Sequence, residues 1–247
     1  MARAAVPGRL TWQLARVREK IAETPTARSL ILDVPEWRGH RAGQHIDVRL
    51  TAEDGYQAQR SFSIASAPED DHVTITVEEI SDGEVSPYLV EDVIAGDEIE
   101  VRGPIGGPFT WSVAEGGPLV LVAGGSGLVP LMSMLRHRAA QASTVDAHAL
   151  ISVRTDVDAL YRDELLALEP REGLDVRWTY TRAPAPLPGG WTGRVSAEML
   201  AAVTPPPAAA PHMFVCGPTG FVEHVATLLV EAGHDPLRVR TERFGPT

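Results

Sequence analysis

A short strand-like segment carries three residue types that together could bind an anion and a flat ring. Arg60, Phe62 and Ser63 lie close together, and side chains two residues apart share one face of a strand. An arginine can hold a phosphate through two parallel hydrogen bonds, and an aromatic ring supplies a flat apolar wall. An ordinary strand that buries Phe62 in the core would show the same pattern.

Two glycine-rich segments also suit phosphate binding. Gly83-Glu84-Val85-Ser86 precedes a predicted short helix, in which Ser86 is the N-cap and Pro87 the first helical residue. Gly124-Gly125-Ser126-Gly127 lies between an apolar strand and a helix, but it is not the Gly-x-Gly-x-x-Gly fingerprint. Glycine lets the backbone approach an anion, and helix N-termini offer free N–H groups. A simple turn with a helix cap is the alternative for both segments.

Two further groups of residues follow predicted apolar strands. Ser152, Arg154 and Arg162 lie at and after a strand end, where an arginine can pair with the 2′-phosphate of a nucleotide. Asp156 and Asp158 weaken that interpretation, because NAD-specific sites more often place an acid there.

Cysteine usage excludes several classes of site. Cys216, in Cys216-Gly217-Pro218, is the only cysteine of the chain. It can form no intrachain disulfide, and the chain has too few thiolates for an iron–sulfur cluster or a cysteine-rich zinc site. A small buried thiol at a strand end is its simplest interpretation.

Taken in order, these motifs closely resemble those of the ferredoxin-NADP reductase-like family of flavoproteins. The resemblance covers residues 11–247 and implies FAD and NADPH as cofactors, with NADH as the alternative nucleotide. The implied cofactor-binding residues are Arg60, Phe62, Ser63, Gly83, Val85, Ser86, Gly124, Gly125, Ser126, Gly127, Ser152, Arg154, Arg162, Cys216, Gly217, Pro218 and Phe244. The implied catalytic residues are Ser63, Cys216 and Glu242.

The family also implies individual roles. Arg60 would bind the pyrophosphate, Phe62 would pack on the flavin in place of the commoner tyrosine, and the Ser63 hydroxyl would approach the flavin N5. Cys216 would border the nicotinamide, and Phe244 would cover the flavin ring, although a frayed C-terminus is equally expected there.

The function implied by the resemblance is hydride transfer from NADPH to flavin N5, followed by electron transfer to a separate acceptor such as a ferredoxin. A non-catalytic regulatory or electron-transfer subunit with the same fold is the alternative. Basic residues near the N-terminus could form a surface for an acidic ferredoxin, and an ordinary solvated surface explains them equally well. These residues are Arg3, Arg9, Arg16, Arg18, Lys20, Arg28, Arg38 and Arg41.

The elements that must position these residues fall into two predicted domains. Residues 1–113 contain short alternating runs rich in Val, Ile and Thr, which indicate an all-β antiparallel barrel, here the FAD-binding domain. Residues 114–247 alternate apolar strands with helices, which indicates a doubly wound parallel α/β sheet, the NAD(P)-binding domain. Residues 182–194 and 204–211 are predicted surface loops because they are rich in proline, glycine or alanine.

Composition limits the classes of protein to which the chain can belong. The 247-residue chain is 44% hydrophobic and 22% charged, as expected of a globular protein. Its net charge of -11 argues against nucleic-acid binding. No signal peptide or transmembrane run is visible, so we expect a cytoplasmic protein that binds no membrane. No metal site is expected, and the scattered His45, His72, His148, His224 and His234 are interpreted as structural.

Overall fold

The computed structural model describes residues 10–168, 173–186 and 190–245, and in these ranges the chain forms two six-stranded sheets. The strands are β1 (Gln13–Thr24), β2 (Ala27–Asp33), β3 (His45–Thr51), β4 (Gln57–Ser63), β5 (Val73–Glu78), β6 (Glu98–Ile105), β7 (Leu119–Gly124), β8 (Ala147–Val153), β9 (Leu174–Tyr180), β10 (Trp191–Thr192), β11 (His212–Pro218) and β12 (Val239–Phe244). The helices are α1 (Ser86–Glu91), α2 (Leu128–Ala140), α3 (Arg162–Leu168), α4 (Ala197–Val203) and α5 (Thr219–Glu231).

The first sheet is antiparallel, with strand order β4-β3-β6-β1-β2-β5. A bridge between Ile64 and Ile75 joins the segment after β4 to β5 and closes the sheet into a barrel. Alternate apolar side chains point inward, so that Leu30, Leu32 and Ile46 are fully buried.

The second sheet is parallel, with strand order β10-β9-β8-β7-β11-β12. Every residue of β7 is buried because helices cover both faces of the sheet. Apolar residues of α2 and α3 form the core on one face, and those of α4 and α5 form it on the other. The predicted fold class, an antiparallel barrel followed by a doubly wound parallel sheet, is confirmed.

Local predictions differ from the structure at four elements, namely α1, β10, α4 and β12. The α1 N-cap is Val85 rather than Ser86, and Ser86 is the first helical residue, whose hydroxyl accepts a hydrogen bond from the Ile80 N–H at 3.1 Å. The predicted loop 182–194 contains strand β10, which pairs with β9. Helix α4 and strand β12 had no counterpart in the prediction. β12 is a half-exposed edge strand rich in polar residues, so its sequence lacks the alternation that marks a strand.

Helix α2 fixes the barrel against the parallel sheet. The Ser133 hydroxyl donates to the Ser66 carbonyl at 2.6 Å, and the Arg136 guanidinium donates to the Ala65 carbonyl at 2.9 Å. Arg136 also forms two hydrogen bonds to the Glu164 carboxylate, at 2.6 and 2.8 Å. Ala65 and Ser66 lie just after β4, so these contacts set the position of the β4 end relative to the second sheet.

Candidate functional site

Three adjoining cavities lie where the β4 end meets the carboxyl ends of β7, β8, β11 and β12. Open α/β sheets bind ligands at this edge. We call them the barrel slot, which is lined by Phe62, Ser63 and Val129, the glycine-loop cleft, which is lined by Gly124, Gly125 and Arg154, and the junction pocket. Ser126 and Phe244 line all three, so the cavities meet at these two side chains. The junction pocket is lined by His45, Ser61, Ser63, Ser126, Cys216, Glu242, Arg243 and Phe244.

The junction pocket unites residues from both sheets. Ser63 ends β4, whereas Cys216 and Glu242 are neighbours in the register of the parallel strands β11 and β12. All three residues expected to be catalytic therefore line one pocket. Strand β12 brings Glu242 and Phe244 into the junction pocket. The C-terminal segment is therefore part of the site.

Burial shifts the pKa values of two groups that line this pocket, the Cys216 thiol and the Glu242 carboxyl. Burial raises the pKa of the Cys216 thiol well above its usual value, and the nearby Glu242 carboxylate raises that pKa further. Burial also raises the pKa of Glu242 to about 7. A raised thiol pKa makes Cys216 a poor nucleophile, because the thiolate is the reactive form. Glu242 can accept or release a proton near pH 7, as a general acid–base requires.

The barrel slot has the aromatic and apolar lining that a flat ring system needs. Phe62 of β4 and Phe244 of β12 line it, and Val129 of α2 adds apolar surface. Ser63 lies at the border of this slot and the junction pocket. Two aromatic side chains beside a hydroxyl fit a flavin isoalloxazine, which is apolar on its faces and polar at its edge.

Further along β4, Arg60 contacts Glu84 of the Gly83–Ser86 turn, the segment with which it is predicted to form a diphosphate cradle. The Arg60 guanidinium lies 3.4 Å from the Glu84 carboxylate, which also accepts a hydrogen bond of 2.6 Å from the Tyr56 hydroxyl. Gly83 donates its N–H to the Ile80 carbonyl, and Val85 is fully buried in the barrel core. The cradle is therefore a surface site in which an acid already contacts the candidate phosphate-binding arginine.

The glycine loop is packed too closely for side chains at two positions. A Cβ atom on Gly127 would lie 2.2 Å from the Cys216 carbonyl oxygen, and one on Gly124 would lie 2.9 Å from the Phe221 ring. Gly125 has φ +56° and open space around it. Its backbone therefore borders an open cleft, as a phosphate-binding loop requires. Pro218, which follows Gly217 at the end of β11, lines the same cleft.

The structure separates Arg162 from Ser152 and Arg154, the other two residues of the predicted ribose and 2′-phosphate site. Ser152 and Arg154 line the glycine-loop cleft, and the Arg154 side chain has no ion-pair or hydrogen-bond partner in the described part of the chain. Arg162 instead lies 2.9 Å from Asp156 and 3.7 Å from Asp163 and does not line that cleft. Arg154 is consequently the cation available to a ligand there.

His45 also lines the junction pocket, although no sequence motif singled it out and it was interpreted as structural or solvated. Its Nδ1 lies 4.0 Å from the Glu242 carboxylate. Nothing in the local sequence could reveal this contact, because His45 begins β3 and Glu242 lies on the last strand. Only the folded arrangement of the two domains brings them together.

Two family models match the chain. The oxidoreductase FAD-binding domain matches residues 15–110, and the oxidoreductase NAD-binding domain matches residues 121–227. The glycine betaine monooxygenase reductase subunit of Pseudomonas aeruginosa is 29% identical, and the alignment covers 96% of this chain and 66% of that protein. This chain therefore spans just under two thirds of that relative.

Solved structures share the fold over nearly the whole chain. The flavohem-like FAD/NAD-binding domain of nitric oxide dioxygenase from Vibrio cholerae has a TM-score of 0.84 and 26% identity, with 95% of this chain and 99% of that chain covered. A ferredoxin NADP+ reductase from Neisseria gonorrhoeae has a TM-score of 0.81 and 21% identity, with 94% and 98% covered.

Fold, cavities and family models together define an oxidoreductase module with an FAD-binding and an NAD-binding domain. The chain belongs to the ferredoxin-NADP reductase-like family. Among the residues that the structure describes, no helix has the length and apolar character needed to cross a membrane.

Proposed function

We propose that the protein is a flavin-dependent reductase that takes hydride from NADPH onto the flavin N5 and passes the electrons to a separate acceptor. The observation that carries this proposal is the shared lining of the three cavities by Ser126 and Phe244. A ring in the barrel slot and a nicotinamide entering from the glycine-loop cleft would meet in the junction pocket. Hydride transfer requires the two rings to lie in contact.

Bound flavin supplies the atom that accepts hydride and the ability to pass on electrons singly. The protein's part is positioning. Phe62 and Phe244 would hold the ring, and the Ser63 hydroxyl, which lines the same slot, would approach its edge. Arg60 would neutralise the diphosphate. Phe244 would have to move aside for the nicotinamide, and the Cys216 thiol would pack against the nicotinamide without forming a covalent bond.

Arg154 supports NADPH as the preferred donor. Its guanidinium has no partner among the described residues, lines the glycine-loop cleft beside Ser152 and can pair with the 2′-phosphate that NADH lacks. The Arg154→Gln variant should raise the KM for NADPH about tenfold and leave the KM for NADH nearly unchanged, because a charged hydrogen bond contributes about 1.5 kcal/mol or more. Arg162→Gln is the matched control. Equal KM changes for both nucleotides in Arg154→Gln would contradict the assignment.

A ferredoxin or a similar small redox protein is the proposed acceptor. One of the relatives is the reductase subunit of a monooxygenase, and this similarity supports a protein as the electron acceptor. In the predicted basic surface, Arg18 pairs with Asp33 at 3.7 Å and Arg41 with Glu115 at 3.1 Å, whereas Arg38 is exposed. Arg3 and Arg9 lie outside the described residues.

An anaerobic absorbance titration tests the proposal. Purified protein is supplied with FAD, and NADPH and then NADH are added while the flavin absorbance is followed. We expect rapid bleaching by NADPH and turnover with ferricyanide as an artificial acceptor. A protein that binds no flavin, or binds it without bleaching, would instead be a regulatory or electron-transfer subunit.

A further inference from the structure

We infer that Tyr161 is a positioning residue for hydride transfer, because its hydroxyl ties a wall of the glycine-loop cleft to a wall of the barrel slot. This inference rests on the proposed function. Tyr161 immediately precedes α3 in the second domain, and its hydroxyl donates a hydrogen bond to the Thr76 hydroxyl of β5 in the barrel. The bond therefore joins the two domains directly.

The two partners of this bond belong to segments that line different cavities. Thr76 lines the barrel slot, in which the flavin ring would bind. Asp158 and Leu160, just before Tyr161 in the chain, line the glycine-loop cleft, which the nucleotide would enter. A shift of Tyr161 along β5 would thus change the spacing between the two cavities.

The Tyr161 hydroxyl ends a buried chain of hydrogen bonds. Tyr161 and Thr76 are each only 5% exposed. The Thr76 hydroxyl lies 2.7 Å from the Ser29 hydroxyl, which donates to the Glu23 carboxylate at 2.6 Å. Because Ser29 uses its one proton on a carboxylate that can only accept, Thr76 must donate to Ser29. Thr76 can then only accept from Tyr161, so every bond of the chain has a fixed direction.

The backbone and ring of Tyr161 are also fixed by their surroundings. Its φ of +52° lies in the left-handed region, which is unfavourable for a residue with a large side chain. The guanidinium carbon of Arg136 lies 4.9 Å from the centre of the tyrosine ring. Such a backbone conformation persists only where surrounding contacts hold it, and it is concentrated at functional sites.

Two sets of contacts therefore hold the barrel slot against the second domain, one for each barrel strand beside it. Helix α2 holds the segment after β4 through Ser133 and Arg136, and β4 carries Phe62. Tyr161 holds β5 through Thr76. Hydride transfer depends steeply on the separation of the reacting atoms, and a displacement of about 1 Å can slow a reaction about 100-fold.

Tyr161→Phe tests this role in the FAD-loaded protein. Phenylalanine keeps the buried ring beside Arg136 and leaves Thr76 its bond to Ser29, so the fold should be retained. We expect the rate constant for bleaching of the flavin by NADPH to fall about tenfold, because the two cavities lose their fixed spacing. The dissociation constants of FAD and NADPH should stay unchanged, since the residues that line each cavity remain.

Tyr180→Phe is the matched control for that variant. It also removes a buried tyrosine hydroxyl, but this hydroxyl contacts Asp156 and Arg162 within the second domain. We expect the bleaching rate of Tyr180→Phe to equal that of the wild type. An unchanged rate in Tyr161→Phe, or an equal fall in both variants, would overturn the inference.

Urea denaturation of the apoprotein gives a second readout, which needs no flavin. Thr76→Val leaves the buried Tyr161 hydroxyl without its acceptor and should lower the midpoint of unfolding. Adding Tyr161→Phe removes that hydroxyl, so the double variant should be at least as stable as Thr76→Val alone. Additive losses would refute the contact.

The two readouts separate this inference from the proposed function. If NADPH fails to bleach the wild-type flavin, the proposed function fails, and the role of Tyr161 in hydride transfer fails with it. If NADPH bleaches the wild type and Tyr161→Phe at the same rate, only the inference about Tyr161 fails.

Discussion

The two candidate phosphate sites are built differently: one presents side chains to the phosphate and the other presents backbone. The diphosphate cradle in the barrel consists of side chains, with Arg60 and Glu84 about half exposed to solvent. The glycine loop in the parallel sheet consists of backbone, and Gly127 lies in contact distance of the Cys216 carbonyl. Replacing a charged side chain in the first site should therefore leave the fold intact. Adding a side-chain atom at Gly127 in the second site should disturb the fold.

The largest expected effect is that of Gly127→Ala. Its Cβ atom would lie 2.2 Å from a backbone oxygen of β11, so the loop or the strand must move. We expect a loss of about 3 kcal/mol in the free energy of unfolding, as for a severely overpacked core, measured by urea denaturation.

Gly125→Ala is the matched control for that variant. Gly125 has open space around it, so only its positive φ is penalised, at about 1 kcal/mol. Similar losses in the two variants would show that loop conformation, and not close packing, governs this site.

Arg60→Gln should act on binding and leave stability unchanged. We expect FAD affinity to fall roughly 10- to 100-fold, because a charged hydrogen bond to phosphate contributes about 1.5–3 kcal/mol. Quenching of flavin fluorescence gives the dissociation constant, and urea denaturation gives the stability. Arg38→Gln removes an exposed arginine of the same domain elsewhere and should change neither. A lowered unfolding free energy in Arg60→Gln would remove the contrast between the two sites.

The same contrast explains what could be predicted from sequence. Periodicity located most strands, because inward-facing residues such as Leu30 and Ile46 alternate with polar ones. The burial of β7 between helices also follows from its continuous apolar run. Strand β12 lacks both patterns, since it is an edge strand whose residues are half exposed.

The site was predicted to the extent that it consists of local motifs. Ser63, Cys216 and Glu242 line one pocket, but the family resemblance, not their spacing, singled them out. Contacts made by distant residues were not predictable. The Glu84 carboxylate beside Arg60, the Asp156 carboxylate beside Arg162 and the His45 ring beside Glu242 all depend on how the chain folds.

The smallest expected effect, Glu84→Gln, sharpens the comparison most. Because Glu84 competes with phosphate for Arg60, its neutralisation should tighten FAD binding about two- to fivefold, which matches the 0.2–1 kcal/mol of an exposed ion pair. Glutamine keeps the acceptor for the Tyr56 hydroxyl, so the turn should stay intact. The gain should shrink as salt rises from about 50 mM to about 500 mM, since the effect is electrostatic at an exposed site. Glu53→Gln, an exposed acid of the same domain, controls for net charge. Equal tightening in both variants would mean that overall charge, and not the Arg60–Glu84 contact, limits flavin affinity.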